Sequence, residues 1–298
     1  MEQLNRDSFR LVGIQEVSDL PSTERPPWYK GKPLPAAGFL LLLILGCLFC
    51  EGFIPKDPSY MDLTHFSLPP GKTFWFGTDT MGRDIFSMVW YGGRISLLMG
   101  VLAAAISALI AVLYGAVSGM SVWWMDSLLM RLSEILLSIP GFLFIIFIQA
   151  ALGKATIVSI AAAIGSTGWM TMANVVRTEV RQLKSSEYLL AAQAMGGGFF
   201  YLLGKHLLPN LVPSLLFMVI MNLRNAIMAE ATLSFMGLGL PLEVITWGSM
   251  LSLSGKALLS GGWWMILIPG AFLVSTLFAL TSLGNYLRKS MNRKESNL

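Results

Sequence analysis

Charged residues are scarce in this sequence. Only 13% of its 298 residues are Asp, Glu, Lys or Arg, whereas 54% are hydrophobic. Soluble globular domains carry about 25% charged residues, so this composition excludes an ordinary soluble protein and indicates an integral membrane protein. The net charge of +4 then bears on membrane orientation. No basic patch interleaved with exposed aromatic residues occurs, so we expect no nucleic-acid partner.

The residues that catalysis and metal binding need are nearly missing. The two histidines, His65 and His206, lie far apart, and neither has a catalytic motif beside it. The two cysteines, Cys47 and Cys50, would share one helix face but lack the further ligands that a metal site requires. We therefore predict no catalytic residue, no metal site and no cofactor bound by this chain, which is not expected to be an enzyme.

A nucleotide-binding motif is missing as well. Gly71, Lys72 and Thr73 match the end of a phosphate-binding loop, yet Phe66 stands where that motif needs glycine, and no predicted strand precedes it. ATP is therefore not expected to bind this chain. Since transport against a gradient needs a source of energy, a membrane chain of this kind either dissipates a gradient or depends on a separate ATPase.

Long uncharged runs are what the sequence has instead. A helix needs about 20 apolar residues to cross the hydrocarbon core. We count six transmembrane helices, and hence an all-α integral membrane fold, from the runs 33–50, 95–125, 135–153, 155–176, 207–223 and 257–287. Gly92 and Gly93 predict a break before the second run. The apolar segment 207–242 can be read as holding a seventh span, but we divide it into one helix and an extracellular loop that dips into the protein.

The distribution of Lys and Arg predicts the orientation. With the N-terminus inside, fourteen of these residues lie inside, six lie outside and Arg224 falls within a span, so both termini are predicted to be cytoplasmic. The polar residues before the first run form a tail too long for an ordinary cleaved signal, so that span is retained. The predicted regions are a cytoplasmic tail at 1–32, the first transmembrane helix at 33–54, an extracytoplasmic segment at 55–94, a five-helix core at 95–287 and a cytoplasmic tail at 288–298.

A short cytoplasmic helix is predicted at about 185–198. Glu187 favours the helix dipole in the first turn, the following alanines are strong helix formers, and Gly196 begins the glycine run that ends the helix. A helix of two to three turns is marginal alone in water. Ala191 and Ala192 would let another protein approach the backbone closely, which implies a partner groove. A helix lying on the membrane surface explains the same composition.

The same segment resembles the coupling-helix signature of permease subunits in binding-protein-dependent ATP-binding-cassette importers. That signature reads E-x-x-x-A-A-x-x-x-G, followed after nine residues by an aliphatic position, any residue, leucine and proline. Its positions are matched here by Glu187, Ala191, Ala192, Gly196, Leu208 and Pro209. His206 occupies the usual isoleucine position, a departure shared with the peptide branch of the family. By resemblance, the matching residues and Tyr188 couple the permease to an ATPase.

Further segments at 76–97, 130–140 and 229–239 resemble the same branch, the C-type permease subunits of dipeptide, oligopeptide and nickel importers. The resemblance implies a type I importer permease fold in the lipid of the bacterial cytoplasmic membrane. The implied partners are a second homologous permease in a heterodimer, two ATPases that hold ATP and Mg, and an extracytoplasmic substrate-binding protein. The implied cargo is short peptides. Nickel or a metal chelate is an alternative, and an ATP-independent channel or carrier is an alternative of a different class.

Two charged residues fall within the apolar segment after the short helix. Arg224 and Glu230 are six positions apart, so they face different directions on an ideal helix and are not expected to pair with each other. A charge within the membrane is costly and is often functional. Each residue is a candidate for the translocation path or its gate, and pairing at an interface is the structural alternative.

A charged cluster lies in the predicted extracytoplasmic segment. Asp79, Arg83 and Asp84 are predicted on a short helix at the outer surface. By resemblance they belong to the vestibule where a substrate-binding protein docks. A structural brace explains the same residues equally well.

Overall fold

The computed structural model describes residues 33–54, 57–241, 243–255, 257 and 261–295, with side chains described as far as residue 290. The predicted tail at 1–32 lies outside these residues. Within the described ranges the chain is all-α, as predicted, and the secondary structure contains no β-strand. The helices are α1 (Leu34–Leu48), α2 (Cys50–Phe53), α3 (Ile85–Met120), α4 (Trp123–Ser138), α5 (Gly141–Leu152), α6 (Ile157–Lys184), α7 (Glu187–Ala194), α8 (Phe199–Leu202), α9 (Leu208–Phe235), α10 (Trp247–Ser254) and α11 (Trp264–Glu295).

Among the described helices, three are long and apolar enough to cross a membrane: Ile85–Met120, Phe199–Phe235 and Trp264–Ser290. A fourth candidate is α4 and α5 taken together, which meet at 95°. The count of six spans therefore stays a prediction. α1 has 15 residues, fewer than the roughly 20 that a perpendicular span needs. α6 has 28 residues and is not among these candidates; it is uncharged up to Val176 and carries charged residues from Arg177 onward.

The most extensive helix pair in the fold is α3 against α6. Small residues permit the close approach, because a β-carbon added at Gly115 would lie 2.7 Å from Val176 and one added at Gly119 would lie 2.7 Å from Val180. Glycines at such contacts let helix backbones come together in a membrane, where packing replaces the hydrophobic effect as the source of association. α9 packs against both helices of this pair, and α11 packs mainly against α9.

α3 begins earlier than the sequence pattern predicts. It starts at Ile85, so the last ten residues of the predicted extracytoplasmic segment 55–94 are helical. Gly92 and Gly93 lie buried inside this helix, and the predicted break at the glycine pair is wrong. The reason for glycine is packing, because a β-carbon at Gly93 would lie 2.9 Å from the indole ring of Trp247 in α10.

α9 runs without interruption from Leu208 to Phe235. The prediction that the helix ends near residue 223 and gives way to a loop is therefore wrong. A segment that enters the protein does exist, but it follows α9 and contains the short helix α10. Trp247 at the start of α10 is fully buried, and its Nε1 donates a hydrogen bond to the Val89 carbonyl at 2.9 Å.

The predicted third span, 135–153, is divided between two helices. α4 ends at Ser138, and Ile139 adopts an extended conformation with φ −78° and ψ 130°. Pro140 causes this end, because its ring disfavours a helical conformation at the preceding residue and it has no N–H to donate. α5 then leaves in a new direction and is only 12 residues long.

Candidate functional site

α7 lies where the short helix is predicted, at Glu187–Ala194. Gly196, just after it, adopts a left-handed conformation with φ 83°. The N–H of Gly197 donates to the Ala192 carbonyl at 3.0 Å, and the N–H of Gly196 donates to the Gln193 carbonyl at 2.9 Å. These two bonds form a Schellman cap, so the glycine run ends the helix as predicted.

Leu189 fastens α7 to the rest of the protein. All residues of this helix are described, and Leu189 is the one whose side chain is buried, with 0% exposure. It belongs to a hydrophobic cluster that includes Val180 of α6 and Leu211 of α9. Ala192 is half-buried against the same cluster, whereas Ala191 is exposed. Only one alanine of the motif therefore faces outward.

The other side of α7 is apolar and exposed. Tyr188, Leu190 and Ala191 project from the helix, followed by Met195 just beyond its end and Phe200 in α8. We call these five residues the outer face of α7. Met195 is 88% exposed and Phe200 is 78% exposed. Large exposed apolar side chains on one short segment of a chain are typical of a site where another protein binds.

A π-helical turn, Leu203–Leu207, joins the short helices to α9. It ends where the N–H of Leu208 donates to the first carbonyl of the turn. Pro209 follows and has no N–H, while the Nδ2 of Asn210 donates to the His206 carbonyl at 2.6 Å. π-Turns within helices are rare and frequent at functional sites. The motif positions Leu208 and Pro209 thus mark the point where the short helices pass into a long one.

The ring of His206 lies beside one tyrosine of α7 and one tyrosine of α8. Its ring lies beside the rings of Tyr188 and Tyr201, with centroid distances of 6.1 and 5.7 Å. The Nζ of Lys205 lies 5.3 Å from the centroid of the Tyr201 ring. Glu187 begins α7 with an exposed carboxylate, where the helix dipole favours a negative charge. Contact of Tyr188 with His206 adds a second attachment of α7 to the chain that leads into α9.

An ionic cluster near α7 is absent from the sequence predictions. Asp126 of α4 is buried, and its Oδ1 accepts hydrogen bonds from the Nε of Arg177 at 2.5 Å and from the Oγ of Ser118 at 2.6 Å. Its Oδ2 accepts from the Nη1 of Arg181 at 2.8 Å. The Nζ of Lys184 donates to the carbonyl of the last residue of α3 at 2.8 Å. The end of α6, which α7 follows, is therefore tied to α3 and α4.

The outer cluster forms a turn and not the predicted short helix. Asp79 Oδ1 accepts from the backbone N–H of Arg83 at 2.8 Å, and Asp79 Oδ2 accepts from Arg83 Nε at 2.8 Å. Both side chains are buried, and Asp84 caps α3 by accepting from the backbone N–H of Ser87 at 3.3 Å, while the Oγ of Ser87 donates to the same carboxylate oxygen at 2.6 Å. Because these charges are bound within the protein and hidden from its surface, the geometry favours a brace over direct docking by Asp79 and Arg83.

Arg224 and Glu230 contact different partners, as predicted. The buried carboxylate of Glu230 accepts from the Oγ of Ser234 at 2.8 Å and from the Oγ of Ser96 at 3.3 Å. Arg224 Nη2 donates to the Oδ1 of Asn225 at 2.7 Å. Glu230 is only 1% exposed. Its enclosure between α3 and α9 favours a structural role over the predicted place on a path or gate.

Comparison with known proteins identifies the family. Residues 111–293, more than half of the chain, match the family described as the binding-protein-dependent transport system inner membrane component. The chain belongs to this family. The permease is 38% identical to the dipeptide transport system permease protein DppC of Bacillus subtilis, over 98% of this chain and 95% of that protein.

Two other relatives are similar to this chain over most of their length. The oligopeptide transport system permease protein OppC of Bacillus subtilis is 38% identical, over 86% of this chain and 83% of its own. The probable D,D-dipeptide transport system permease protein DdpC of Escherichia coli is 32% identical, over 89% of each chain. The expected family, importer permeases of the dipeptide and oligopeptide branch, is confirmed. The family description and the apolar helices together show a membrane-embedded permease.

Proposed function

We propose that this chain is the permease subunit of an ATP-driven importer of short peptides, and that α7 is the helix to which a partner ATPase binds. The observation that carries the proposal is the two-sided character of α7. One side is attached to the helical core through Leu189, and the other presents the outer face of α7 to solvent. A short helix whose apolar face lies in a partner's groove is a recurrent mode of recognition.

The attachments of α7 suggest how movement is transmitted. Leu189 packs against residues of α6 and α9, and the π-turn leads directly into α9. Asp126 joins the preceding end of α6 to α3 and α4. A displacement of α7 by the ATPase would therefore act on four long helices through packed contacts and not through a flexible loop. In this mechanism ATP and Mg stay in the partner subunits, and ATP hydrolysis drives alternating access.

The rest of the proposed machine follows from the family. The permease pairs with a second homologous permease, each docks one ATPase, and a binding protein delivers the substrate from outside. In the proposed topology, with six spans and both termini in the cytoplasm, α7 would lie on the cytoplasmic side, where an ATPase can reach it. Positive residues around α7, including Arg181, Lys184 and Lys205, support this orientation. The relatives named above are dipeptide and oligopeptide permeases, which supports short peptides as the cargo.

Purification of the intact complex through a tag on this chain tests the docking proposal. Ala191→Arg places a long cation on the outer face of α7, and we expect the ATPase subunits to be lost from the purified complex. Ala151→Arg is the matched control, because Ala151 is also exposed but lies near the far end of α5. Retention of the ATPases by the Ala191→Arg complex, or equal loss from both variants, contradicts docking through α7.

Mass spectrometry of the ligand released from the purified binding protein of this complex tests the cargo. We expect short peptides. A metal chelate in place of peptides would overturn the proposed substrate while leaving the permease mechanism intact.

A further inference from the structure

A polar groove runs along the packed pair α6 and α9. Two cavities are lined by these helices, one of about 360 Å³ beside the middle of both and one of about 780 Å³ toward the end of α6 that precedes α7, where α11 also contributes to the lining. The first is lined by the α6 segment around Thr171 and the α9 segment around Asn222, and the second by the segments around Thr178 and Ser214. We call the two cavities together the α6–α9 groove.

The polar residues of the groove follow helical spacing. On α6 they include Thr167, Thr171 and Thr178, and on α9 they include Asn222 and Asn225. Separations of three, four and seven residues place these side chains on one face of each helix. Polar side chains within a membrane helix normally face the protein interior or a water-filled cavity, because lipid offers them no hydrogen-bond partner. Both cavities therefore combine polar side chains with apolar ones, as a path that admits water and a peptide would.

Asn222, which lines the middle cavity, has a side-chain donor without a partner in the described part of the chain. Its Nδ2 is buried and has no hydrogen-bond partner among the described residues. Gly168 leaves room for this amide, since a β-carbon there would lie 2.5 Å from the Asn222 Oδ1. A buried amide donor without a partner is unfavourable, so its placement beside a cavity suggests that a ligand completes it.

The remaining lining indicates what kind of ligand fits. The inner wall of the middle cavity also holds Met172, Met218 and Met221. Methionine is flexible and adapts to side chains of different shape. Asparagine and threonine can each donate and accept a hydrogen bond, as the peptide main chain requires. Uncharged hydrogen-bonding groups combined with adaptable apolar ones match a ligand whose main chain is constant and whose side chains vary.

We infer that the α6–α9 groove is this chain's share of the translocation path, and that Asn222 hydrogen-bonds main-chain amides of the passing peptide. The inference rests on the proposed function for the nature of the cargo. Asn225 and Thr171, in the same cavity, supply further main-chain contacts. Arg224 and Glu230 line neither cavity. The residues that line the middle cavity, where Asn222 lies, are uncharged, whereas Glu179 lines the larger cavity. The contacts proposed for Asn222 therefore do not depend on the charge of the peptide side chains.

Thiol labelling tests whether the groove is a water-filled path. The native cysteines, Cys47 and Cys50, are buried and are replaced by alanine. In the complete complex in membrane vesicles, with the reagent admitted to both sides, Asn222→Cys should react with a charged, water-soluble methanethiosulfonate, and a saturating transportable peptide should slow the reaction. Leu109→Cys is the control, because Leu109 is exposed on the apolar helix α3 and should stay unlabelled.

Uptake measurements test the hydrogen bond itself. Asn222→Leu removes the amide, and we expect peptide uptake at limiting concentration to fall about threefold to tenfold, the change produced by loss of one hydrogen bond. Asn222→Ser keeps a polar group and should retain more uptake than Asn222→Leu. Subunit composition and thermal unfolding should be equal in both complexes, which separates substrate contact from misfolding.

Each result has a distinct meaning. If Asn222→Cys reacts in none of the nucleotide states, the partner permease or lipid covers the groove. The inference would then be overturned even if the unmodified complex imports peptides. Labelling at Asn222 in a complex that imports no peptide would instead overturn the choice of peptide amides as the ligand. Equal uptake by Asn222→Leu and Asn222→Ser would exclude the proposed hydrogen bond.

Discussion

Leu189→Ala is predicted to release α7 from the core of the permease. Leu189 is fully buried and is the sole buried side chain of this eight-residue helix, every residue of which is described. Truncation of a buried leucine to alanine costs about 2–5 kcal/mol, because apolar burial is lost and a cavity remains. A helix this short is not stable by itself in water. The whole loss should therefore appear as local opening of α7.

Hydrogen exchange measured by mass spectrometry provides the assay. At about 1.4 kcal/mol for each factor of ten, a loss of about 2 kcal/mol raises the exchange rate of α7 amides about 30-fold. The measurement uses the permease in lipid nanodiscs and follows peptides that cover residues 186–197. Amides of α3 serve as an internal reference, and their exchange should not change.

Leu190→Ala is the matched control, since the adjacent leucine is 50% exposed. In the isolated permease, the hydrogen-exchange rate of α7 amides should stay within about threefold of the rate in the unsubstituted protein. Substitutions at exposed positions usually change stability by less than about 0.5 kcal/mol. Leu190→Ala should nevertheless weaken association with the ATPase, since Leu190 belongs to the outer face of α7. Equal exchange in the two variants would refute the assignment of Leu189 as the anchor.

Three further predictions concern the supports of the site. Gly196→Ala should destabilise the end of α7 by about 1 kcal/mol, because Gly196 has a left-handed backbone, whereas Gly198→Ala should not; hydrogen exchange of α7 compares them. Asp126→Asn should lower the stability of the permease by about 2–3 kcal/mol, and thermal unfolding in detergent measures the change. The expected loss is smaller than that for a fully buried ion pair, because the arginine partners of Asp126 are partly solvated. Glu230→Gln should leave the unfolding temperature unchanged or raise it, since the amide keeps hydrogen bonds without a buried charge. Glu230→Ala should lower the unfolding temperature. A decrease for Glu230→Gln as large as that for Glu230→Ala would contradict this prediction.

Features set by neighbouring residues were predictable from the sequence. The position of α7 follows from a helix-forming segment bounded by a glycine run, and its end depends on the backbone freedom of Gly196. The contact role of Gly115 and Gly119 follows from their spacing of four on one helix face. Such features need no knowledge of distant parts of the chain, so a local pattern is enough to predict them.

Features set by distant residues escaped prediction. Asp126 binds Arg177, which is 51 positions away, so no local motif contains the pair. Asp126 is nevertheless the one carboxylate in the sequence from residue 85 to 133, and such isolation is a usable signal for a buried partner. The continuation of α9 beyond residue 223 depends on side chains of other helices, because Ser96 of α3 helps to satisfy Glu230. Hydropathy alone ends the span before Arg224 and reads the stretch that contains Glu230 as a loop.

The most direct test of the account is a cross-link from the outer face of α7. Met195→Cys places one exposed thiol there, since the native cysteines are buried. In the assembled complex a short bismaleimide should join this position to an ATPase subunit that carries an accessible cysteine. Phe66→Cys, exposed in the loop before α3, is the control and should not cross-link to the ATPase. The experiment is repeated with engineered cysteines placed across the ATPase surface. If Met195→Cys forms no cross-link to the ATPase in any of these complexes, docking through α7 is contradicted.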